Sequence, residues 1–268
     1  MYPFQQFTQQ DIEILEDETV YRGFFKLNKV KFKHKLFAGG WSGVVTRELL
    51  IKGAASAVIA YDPVLDNVVL VEQVRIGAYD PALKQSPWLL ELIAGMVEEG
   101  ETPESVALRE SEEEAGAKIT HLQHCLSVWD SPGGVLERIH LFVGKVDSTQ
   151  VGGLHGLAEE NEDIRVHVVS RETAYQWLCE GKIDNGIAVM GLQWLALNYT
   201  KLHRMTTIGL DFYELTLYKD VCHLSTESLS FCSGSTSEGL RIICIDNATR
   251  SIHKQTTLII ETIASDLL

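Results

Sequence analysis

The chain has 268 residues, of which 45% are hydrophobic and 22% charged, and its formal net charge is −14. This apolar content excludes a disordered chain, and the charge argues against a protein that binds the phosphates of long nucleic acids. The longest nearly apolar stretch, residues 186–197, is shorter than the roughly 20 residues of a transmembrane helix, so no membrane partner is expected.

The cysteines and the N-terminus bear on the compartment. Five cysteines without a Cys-x-x-Cys pair indicate neither a zinc knuckle nor a disulfide framework. The chain begins without the basic and apolar regions of a secretory signal. We therefore expect reduced thiols and a cytoplasmic protein.

The first hundred residues have the pattern of strands. Alternation of apolar and basic residues, followed by Gly39-Gly40, predicts a hairpin or meander, and a turn is predicted at residues 63–66. The predicted strands lie in order at 24–37, 41–51, 56–62, 67–75 and 88–95.

A helix is predicted for residues 103–115. Thr102 is a suitable N-cap, Pro103 suits the first helical position, and Gly116 suits the residue just past the end.

Strands and helices alternate in the next hundred residues. Ser170 and Asp184 are each predicted to cap a helix, the first ending before Gly181 and the second near Thr200. Strands are predicted at 125–129, 137–146 and 164–169, with a long acidic loop at 147–163. One mixed α/β unit that ends near His203 is therefore expected.

From Met205 onward the composition changes. This segment has 17 Ser and Thr residues, no proline, and short β-branched runs, which predict a few strands. Roughly 65 residues are near the lower limit for an independent core, so packing on the main unit is one expectation.

Glutamates are concentrated before and within the predicted helix 103–115. On a helix that advances about 100° per residue, Glu110, Glu113 and Glu114 fall within an arc of about 100°. Such carboxylates can bind a hard cation such as Mg²⁺, and Arg109 can tether neighbouring carboxylates. On charge alone, a solvated helix rich in glutamate is the more common explanation.

The spacing of these residues is more specific than their charge. The pattern G-x5-E-x7-R-E-U-x-E-E-x-G-U, in which U is aliphatic, is matched at Gly95, Glu101, Arg109, Glu110, Glu113, Glu114 and Gly116. The chain thus resembles the Nudix hydrolase superfamily. Ser111 and Ala117 depart from the pattern at two U positions, which puts helix packing rather than catalysis in question.

The chain also resembles the bacterial ADP-ribose pyrophosphatases of that superfamily over about residues 18–200. The segments outside the box that carry this resemblance include TREL at 46–49, EQVRIGAYD at 72–80 and SPGG at 131–134. Pro132 lies 15 positions past Ala117, where ADP-ribose-cleaving members characteristically carry a proline. The resemblance implies a mixed α/β fold, the Nudix α/β/α sandwich, with an N-terminal antiparallel β-hairpin region. We expect a dimerising β region at 1–53, a hydrolase domain at 54–203, and an extension of unknown role at 204–268.

The resemblance also implies a set of metal ligands and catalytic groups. Two or more Mg²⁺ ions, with Mn²⁺ as a substitute, are expected. The implied ligands are the carboxylates of Glu110, Glu114 and Glu162 and the backbone carbonyl of Ala94. Glu160 is implied as the base for water, and Glu113 and Arg109 as supporting groups of the catalytic site.

Substrate-binding residues follow from the same resemblance. They are Phe24, Arg47, Glu48, Arg75, Gly133 and Glu137. The first three are implied to form an adenosine pocket that the opposing subunit of a homodimer completes, and Arg75 to neutralise phosphate. Ordinary core packing is an equally good explanation for Phe24 taken singly.

The expected function is therefore Mg²⁺-dependent hydrolysis of ADP-ribose to AMP and ribose 5-phosphate. One alternative keeps the reaction but changes the substrate to another nucleoside diphosphate sugar, such as GDP-mannose or ADP-glucose. A second alternative is a non-catalytic module that binds ADP-ribose, and the complete set of acidic residues argues against it.

Overall fold

The structure is a computed structural model that describes residues 6–207, 229–236 and 239–246. The chain divides into two compact units, residues 1–199 and 200–268. Among the described helices, none is long and apolar enough to cross a membrane. The three domains predicted from the sequence, and the two boundaries between them, stay predictions.

Strands dominate the described part of the chain. The strands are β1 (Ile12–Arg22), β2 (Lys26–His34), β3 (Val45–Asp62), β4 (Asn67–Val74), β5 (Trp88–Glu91), β6 (Ile93–Val97), β7 (His121–Trp129), β8 (Val135–Lys145), β9 (Gly153–His155), β10 (Ile164–Ser170), β11 (Leu229–Thr236) and β12 (Gly239–Asp246). The helices are α1 (Pro103–Ala115), α2 (Arg171–Cys179) and α3 (Gly186–Thr207).

The long strand β3 is the centre of the sheet. It pairs in antiparallel fashion with β2, β4 and β6, and in parallel fashion with β8. The sequence predicted two strands here, at 41–51 and 56–62, but β3 runs through both. Gly53 makes this possible, because it takes a positive φ of 92° at an irregularity in the pairing with β8.

Strand β1 was not predicted. Its residues are rich in Asp and Glu, which are uncommon in strands, so their pattern did not indicate one. The lysines of β2 compensate for this charge across the pair: Lys31 lies 2.5 Å from Glu16, for example. Pairing with a basic strand therefore offsets a local preference against strand structure.

Helix α1 begins and ends where the sequence predicted. The side chain of Thr102 accepts a hydrogen bond from the amide of Ser105, and Gly116 follows the last turn with a φ of 60°. The hydroxyl of Ser56 in β3 donates to the carbonyl of Pro103 over 2.7 Å and ties the start of the helix to the sheet. Ser111 is buried and donates to the carbonyl of Ala107, so this departure from an aliphatic residue leaves no polar group unpaired.

Helices cover both faces of the sheet. Val58 and Ala60 of β3 pack in one core cluster with Ala107 and Ala115 of α1. On the opposite face, Gly191 of α3 approaches Ile59 closely. This arrangement confirms the predicted mixed α/β fold with helices on both sides of a sheet.

The C-terminal helices differ slightly from prediction. Ser170 caps α2 as predicted. The cap of α3 is Asn185 rather than Asp184, because the Asn185 side chain accepts from the amide of Ala188 over 3.0 Å while its amide group donates to the carbonyl of Leu90. The helix also continues beyond the predicted end at Thr200.

Two strands are described in the second unit. β11 and β12 pair in antiparallel fashion as a separate two-stranded sheet, in agreement with the strands predicted after Met205. Residues 204–207 of that predicted extension belong to α3, and its remaining residues lie outside the described part of the chain.

Candidate active site

Arg109 joins three glutamates at the surface of α1. Its Nε and Nη2 donate to the two carboxylate oxygens of Glu101 over 3.0 and 3.2 Å. Its Nη1 donates to Glu110 over 2.8 Å and to Glu113 over 3.0 Å. The guanidinium therefore offsets the repulsion within the acidic cluster, as the sequence predicted.

Glu114 is the most buried carboxylate of the cluster, with only 4% of the residue exposed. Its two oxygens accept hydrogen bonds from neutral donors: Oε2 from the amide of Ala94 over 3.1 Å, and Oε1 from the side chain of Gln73 over 3.3 Å. Burial raises the pKa of Glu114 to about 8 against the opposing effect of Ala94, and the charge of Glu110 raises it further. A buried carboxylate with this environment gains from a nearby cation.

Glu110 lies against β6. A Cβ added to Gly95 would come within 1.8 Å of its Oε1, so the missing side chain of Gly95 provides the space that Glu110 occupies. Burial raises the pKa of Glu110, Arg109 lowers it, and the charges of Glu113 and Glu162 raise it again. The charges of Glu113 and Glu162 thus act on Glu110, and the charge of Glu110 acts on Glu114.

The predicted ligands suit a hard divalent cation. The amide and carbonyl of one residue in an antiparallel strand lie on the same edge, so the Ala94 carbonyl is expected on the edge where its amide donates to Glu114. Among the described residues, no three His, Cys, Asp or Glu side chains already surround one point. Mg²⁺ commonly uses one or two carboxylates and takes its other oxygens from water and substrate, so the groups of Ala94, Glu110 and Glu114 fit such an ion.

The acidic loop between β9 and β10 approaches the end of α1. His155, the last residue of β9 before this loop, lies 2.8 Å from the position that a Cβ on Gly116 would take. Glu162 follows a left-handed Asn161, and its carboxylate accepts from the amide of Leu157 over 3.3 Å. Glu160 ends a 3-10 turn at Ala158–Glu160, and its side chain lies outside the described residues.

Arg75 completes the group around α1. Its Nε lies 2.8 Å from a carboxylate oxygen of Glu91, and its charge lowers the pKa of Glu114. Glu91 has a side chain only 15% exposed, and burial raises its pKa while Arg75 opposes the increase. Arg75 is thus a cation held next to the buried carboxylates, where a phosphate group can meet it.

The other predicted substrate residues lie along the first half of β3 and its neighbours. Phe24 is 88% exposed in the turn between β1 and β2, which excludes the core-packing explanation within this chain. Arg47 and Glu48 are exposed on β3, and the carbonyl of Gly134, next to Gly133, accepts from the amide of Leu50. Glu137 is buried and pairs with Lys52 over 2.6 Å.

The structure places the predicted residues in two regions, apart from Glu160, whose side chain is not described. Ala94, Arg75, Arg109 and the carboxylates of Glu110, Glu113, Glu114 and Glu162 form the first group. Phe24, Arg47, Glu48, Gly133 and Glu137 form the second. Within the described residues, no hydrogen bond or ion pair joins the second group to the carboxylates of α1.

Three residues that contact predicted site residues were not themselves predicted from the sequence. Gln73, Glu91 and Lys52 hold Glu114, Arg75 and Glu137, respectively. For Gln73 the sequence does hold an indication: it follows Val69 and Val71 at the spacing of a strand face, so a polar side chain stands where the alternation predicts a core residue.

Comparison with known proteins agrees with this geometry. The NUDIX domain family model matches residues 52–185. The chain belongs to the Nudix family. An ADP-ribose pyrophosphatase of Haemophilus influenzae is 74% identical to this Nudix chain over 205 residues, which cover 76% of this chain and 94% of the relative.

More distant relatives extend the comparison. The ADP-ribose pyrophosphatase of Escherichia coli strain K12 is 54% identical, over 73% of this chain and 93% of its own. A GDP-mannose pyrophosphatase of Pectobacterium atrosepticum is 30% identical, over 68% and 92%. A crystal structure of an ADP compounds hydrolase shares the Nudix fold, with a TM-score of 0.56 and 19% identity, and covers 74% of this chain and 98% of that chain.

The contact between Gly95 and Glu110 predicts the effect of adding one methyl group. In Gly95→Ala, the new Cβ displaces the Glu110 side chain from Cγ to Oε1, so stability falls by about 1–3 kcal/mol while Mn²⁺ binds about tenfold more weakly. Isothermal titration with Mn²⁺ measures the affinity. Gly43→Ala, whose Cβ meets no atom within 4 Å, is the matched control. Unchanged affinity in Gly95→Ala would contradict the assignment of Glu110.

The raised pKa of Glu114 predicts a dependence on pH. Between its ordinary value of 4.5 and about 8, the folded protein keeps this carboxyl protonated while the unfolded chain loses the proton. This contribution to stability is therefore complete below pH 4.5 and is lost as the pH rises to about 8.

The variant Glu114→Gln has no ionisable group at this position and therefore does not lose stability in this way as the pH rises. We expect the metal-free variant to melt at a higher temperature than the wild type at pH 9, while the wild type binds Mg²⁺ about tenfold more tightly for each pH unit from 6 towards 8. Thermal melting and Mg²⁺ titration at pH 6 to 9 measure both effects. A variant that melts lower than the wild type at pH 9 would show that Glu114 is not a destabilising buried charge.

Proposed function

We propose that this Nudix chain hydrolyses the diphosphate bond of ADP-ribose and releases AMP and ribose 5-phosphate, with Mg²⁺ as its metal. The observation that carries the proposal is that three carboxylates lie near one another: the charge of Glu110 raises the pKa of Glu114, and the charge of Glu162 raises the pKa of Glu110. The 74% identity to an ADP-ribose pyrophosphatase supports the choice of substrate.

The residues of the first group have distinct roles in this proposal. Ala94, Glu110, Glu114 and Glu162 would hold divalent cations, which when bound supply positive charge to the diphosphate and acidify the attacking water. Two or more ions are proposed, with Mn²⁺ as a substitute. Arg109 keeps Glu101 and Glu113 in place beside this cluster. Arg75 contacts phosphate oxygens and helps to neutralise them.

The reaction consumes one water molecule. The water oxygen forms a bond to one phosphorus, the bond from that phosphorus to the bridging oxygen breaks, and the bridging oxygen leaves with the other phosphate. Glu160 takes the proton from the attacking water. Its position in the acidic loop supports this role, while its side chain lies outside the described residues.

Recognition of the nucleoside belongs to the second group. The exposed ring of Phe24 offers a face on which adenine can stack, and Arg47 and Glu48 are available to hydrogen-bond the base. Gly133 and Glu137 complete the binding residues in this proposal. The cytoplasmic location expected from the sequence stays a prediction.

The test of this function is product analysis. Incubation with ADP-ribose and Mg²⁺ is expected to give AMP and ribose 5-phosphate in equal amounts, measured by ion-exchange chromatography. Glu110→Gln is expected to lower kcat/KM at least about a hundredfold, because several kcal/mol of transition-state stabilisation depend on the metal. The matched control is Glu112→Gln, since Glu112 is exposed on the same helix. Near-normal rates in a folded Glu110→Gln variant would refute the assignment.

GDP-mannose is the second candidate substrate. The 30% identity to a GDP-mannose pyrophosphatase favours it over other sugars, although the identity to ADP-ribose pyrophosphatases is much higher. The same assay, with ADP-ribose, GDP-mannose and ADP-glucose at equal concentration, separates these substrates by kcat/KM. The proposal expects the highest value for ADP-ribose, and a higher value for another sugar would replace it.

We also propose that the chain forms a homodimer. Strand β1 lies at one edge of the sheet and exposes several large apolar side chains, at Ile14, Val20 and Tyr21 among others. An edge strand with exposed apolar residues is a common place for two subunits to meet. A dimer would also place a second copy beside Phe24, in the adjoining turn.

Light scattering after size exclusion tests the dimer. We expect about twice the chain mass of 29.9 kDa for the wild type and a shift towards the monomer in Ile14→Lys. Val64→Lys changes an equally exposed apolar residue in the turn after β3 and serves as the control that stays dimeric. A monomeric wild type at micromolar concentration would exclude the proposal.

A further inference from the structure

We propose that Gln73 is a positioning residue that holds the carboxylate of Glu114 in the orientation in which it binds metal. This inference rests on the proposed function, because it takes Glu114 to be a metal ligand. Nothing in the Nudix box predicts such a role, since Gln73 lies on β4, 41 residues before Glu114.

Gln73 stands on the core face of β4. Val69 and Val71 share this face and pack in the core cluster with Ala107 and Ala115 of α1. The residue is 6% exposed, so its amide group has little access to water. A glutamine buried between valines costs free energy unless its polar group has a partner. Its partner is Glu114 Oε1, at 3.3 Å.

The two oxygens of Glu114 are fixed by two different strands. Gln73 of β4 donates to Oε1, and the backbone of Ala94 in β6 donates to Oε2. Two hydrogen bonds on separate oxygens define the plane of a carboxylate, whereas one allows it to rotate about the last side-chain bond. Loss of Gln73 therefore frees the plane of Glu114 without removing its charge.

The choice of a neutral donor is important for a metal ligand. Arg109 offsets the charge of Glu101, Glu113 and one oxygen of Glu110, whereas it makes no contact with Glu114. The amide of Gln73 supports the carboxylate without a countercharge, so the negative charge of Glu114 stays available to a cation. Outer hydrogen bonds of this kind typically contribute about 10- to 100-fold to metal affinity.

The test uses Gln73→Met, which keeps the length of the side chain but has no donor. We expect Mn²⁺ alone, titrated into the full-length protein and followed by electron paramagnetic resonance, to bind about 10-fold or more weakly. The Mg²⁺ concentration that gives half-maximal ADP-ribose hydrolysis should rise by the same factor, and saturating Mg²⁺ should restore most of kcat. If Gln73 had only a structural role, Gln73→Met would lower the stability of the protein, and saturating Mg²⁺ would not restore kcat.

Gln123→Met is the matched control, because Gln123 is a half-buried glutamine on β7 that belongs to neither residue group of the site. Its Mn²⁺ affinity and Mg²⁺ activation should equal those of the wild type. Gln73→Asn supplies a second variant if Gln73→Met does not fold: its shorter side chain withdraws the amide from Glu114, and the same loss of affinity is expected.

The outcomes separate this inference from the function on which it rests. If the wild type binds Mn²⁺ and hydrolyses ADP-ribose while a folded Gln73 variant binds Mn²⁺ within twofold of the wild type, the positioning role is wrong and the function stands. If the wild type neither binds Mn²⁺ nor hydrolyses a nucleoside diphosphate sugar, the proposed function fails and the inference fails with it.

Discussion

Burial of like charge at one end of α1 is the interaction on which the rest of the site depends. Glu110 and Glu114 lie one helical turn apart, and burial raises the pKa of both carboxyl groups. The charges of nearby glutamates raise these pKa values further. A fold that only needed stability would avoid this arrangement, because an apolar pair of the same volume would pack at lower cost. The cost is understandable where the carboxylates serve to bind a cation.

The core makes this burial possible because α1 lies close to the sheet. The buried face of α1 consists of small side chains: Ala107, Ala115 and Ser111, whose hydroxyl is hydrogen-bonded within the helix. The helix therefore packs close to the sheet, and its carboxylates reach β6. Gly95 then leaves room for Glu110, and the backbone of Ala94 donates to Glu114. The same contact between α1 and the sheet therefore determines both the packing of the core and the positions of the carboxylates in the site.

Local signals in the sequence were sufficient for α1 and for the acidic residues that it presents. The N-cap Thr102 and the left-handed Gly116 act within one turn, so their positions could be predicted without the fold. Strand β1 was missed because its acidic residues are uncommon in strands and only the lysines of β2 offset them. The continuity of β3 was missed because it depends on β8, a partner distant in sequence. Gln73 was missed for the same reason: its spacing marks a core position, but its partner Glu114 comes into reach only through the packing of α1 on β4.

The glutamates of the site differ in how far nearby cations compensate their negative charge. Arg109 neutralises Glu101 and Glu113 on the outer side of the cluster, where water also screens them. Glu114, on the inner side, has only neutral hydrogen-bond donors and the more distant charge of Arg75. Negative charge is thus least compensated where the surroundings are driest, and electrostatic attraction is strongest where the dielectric is lowest. In the proposed function, a divalent cation would bind at that inner position, and Arg75 would supply further positive charge to the diphosphate.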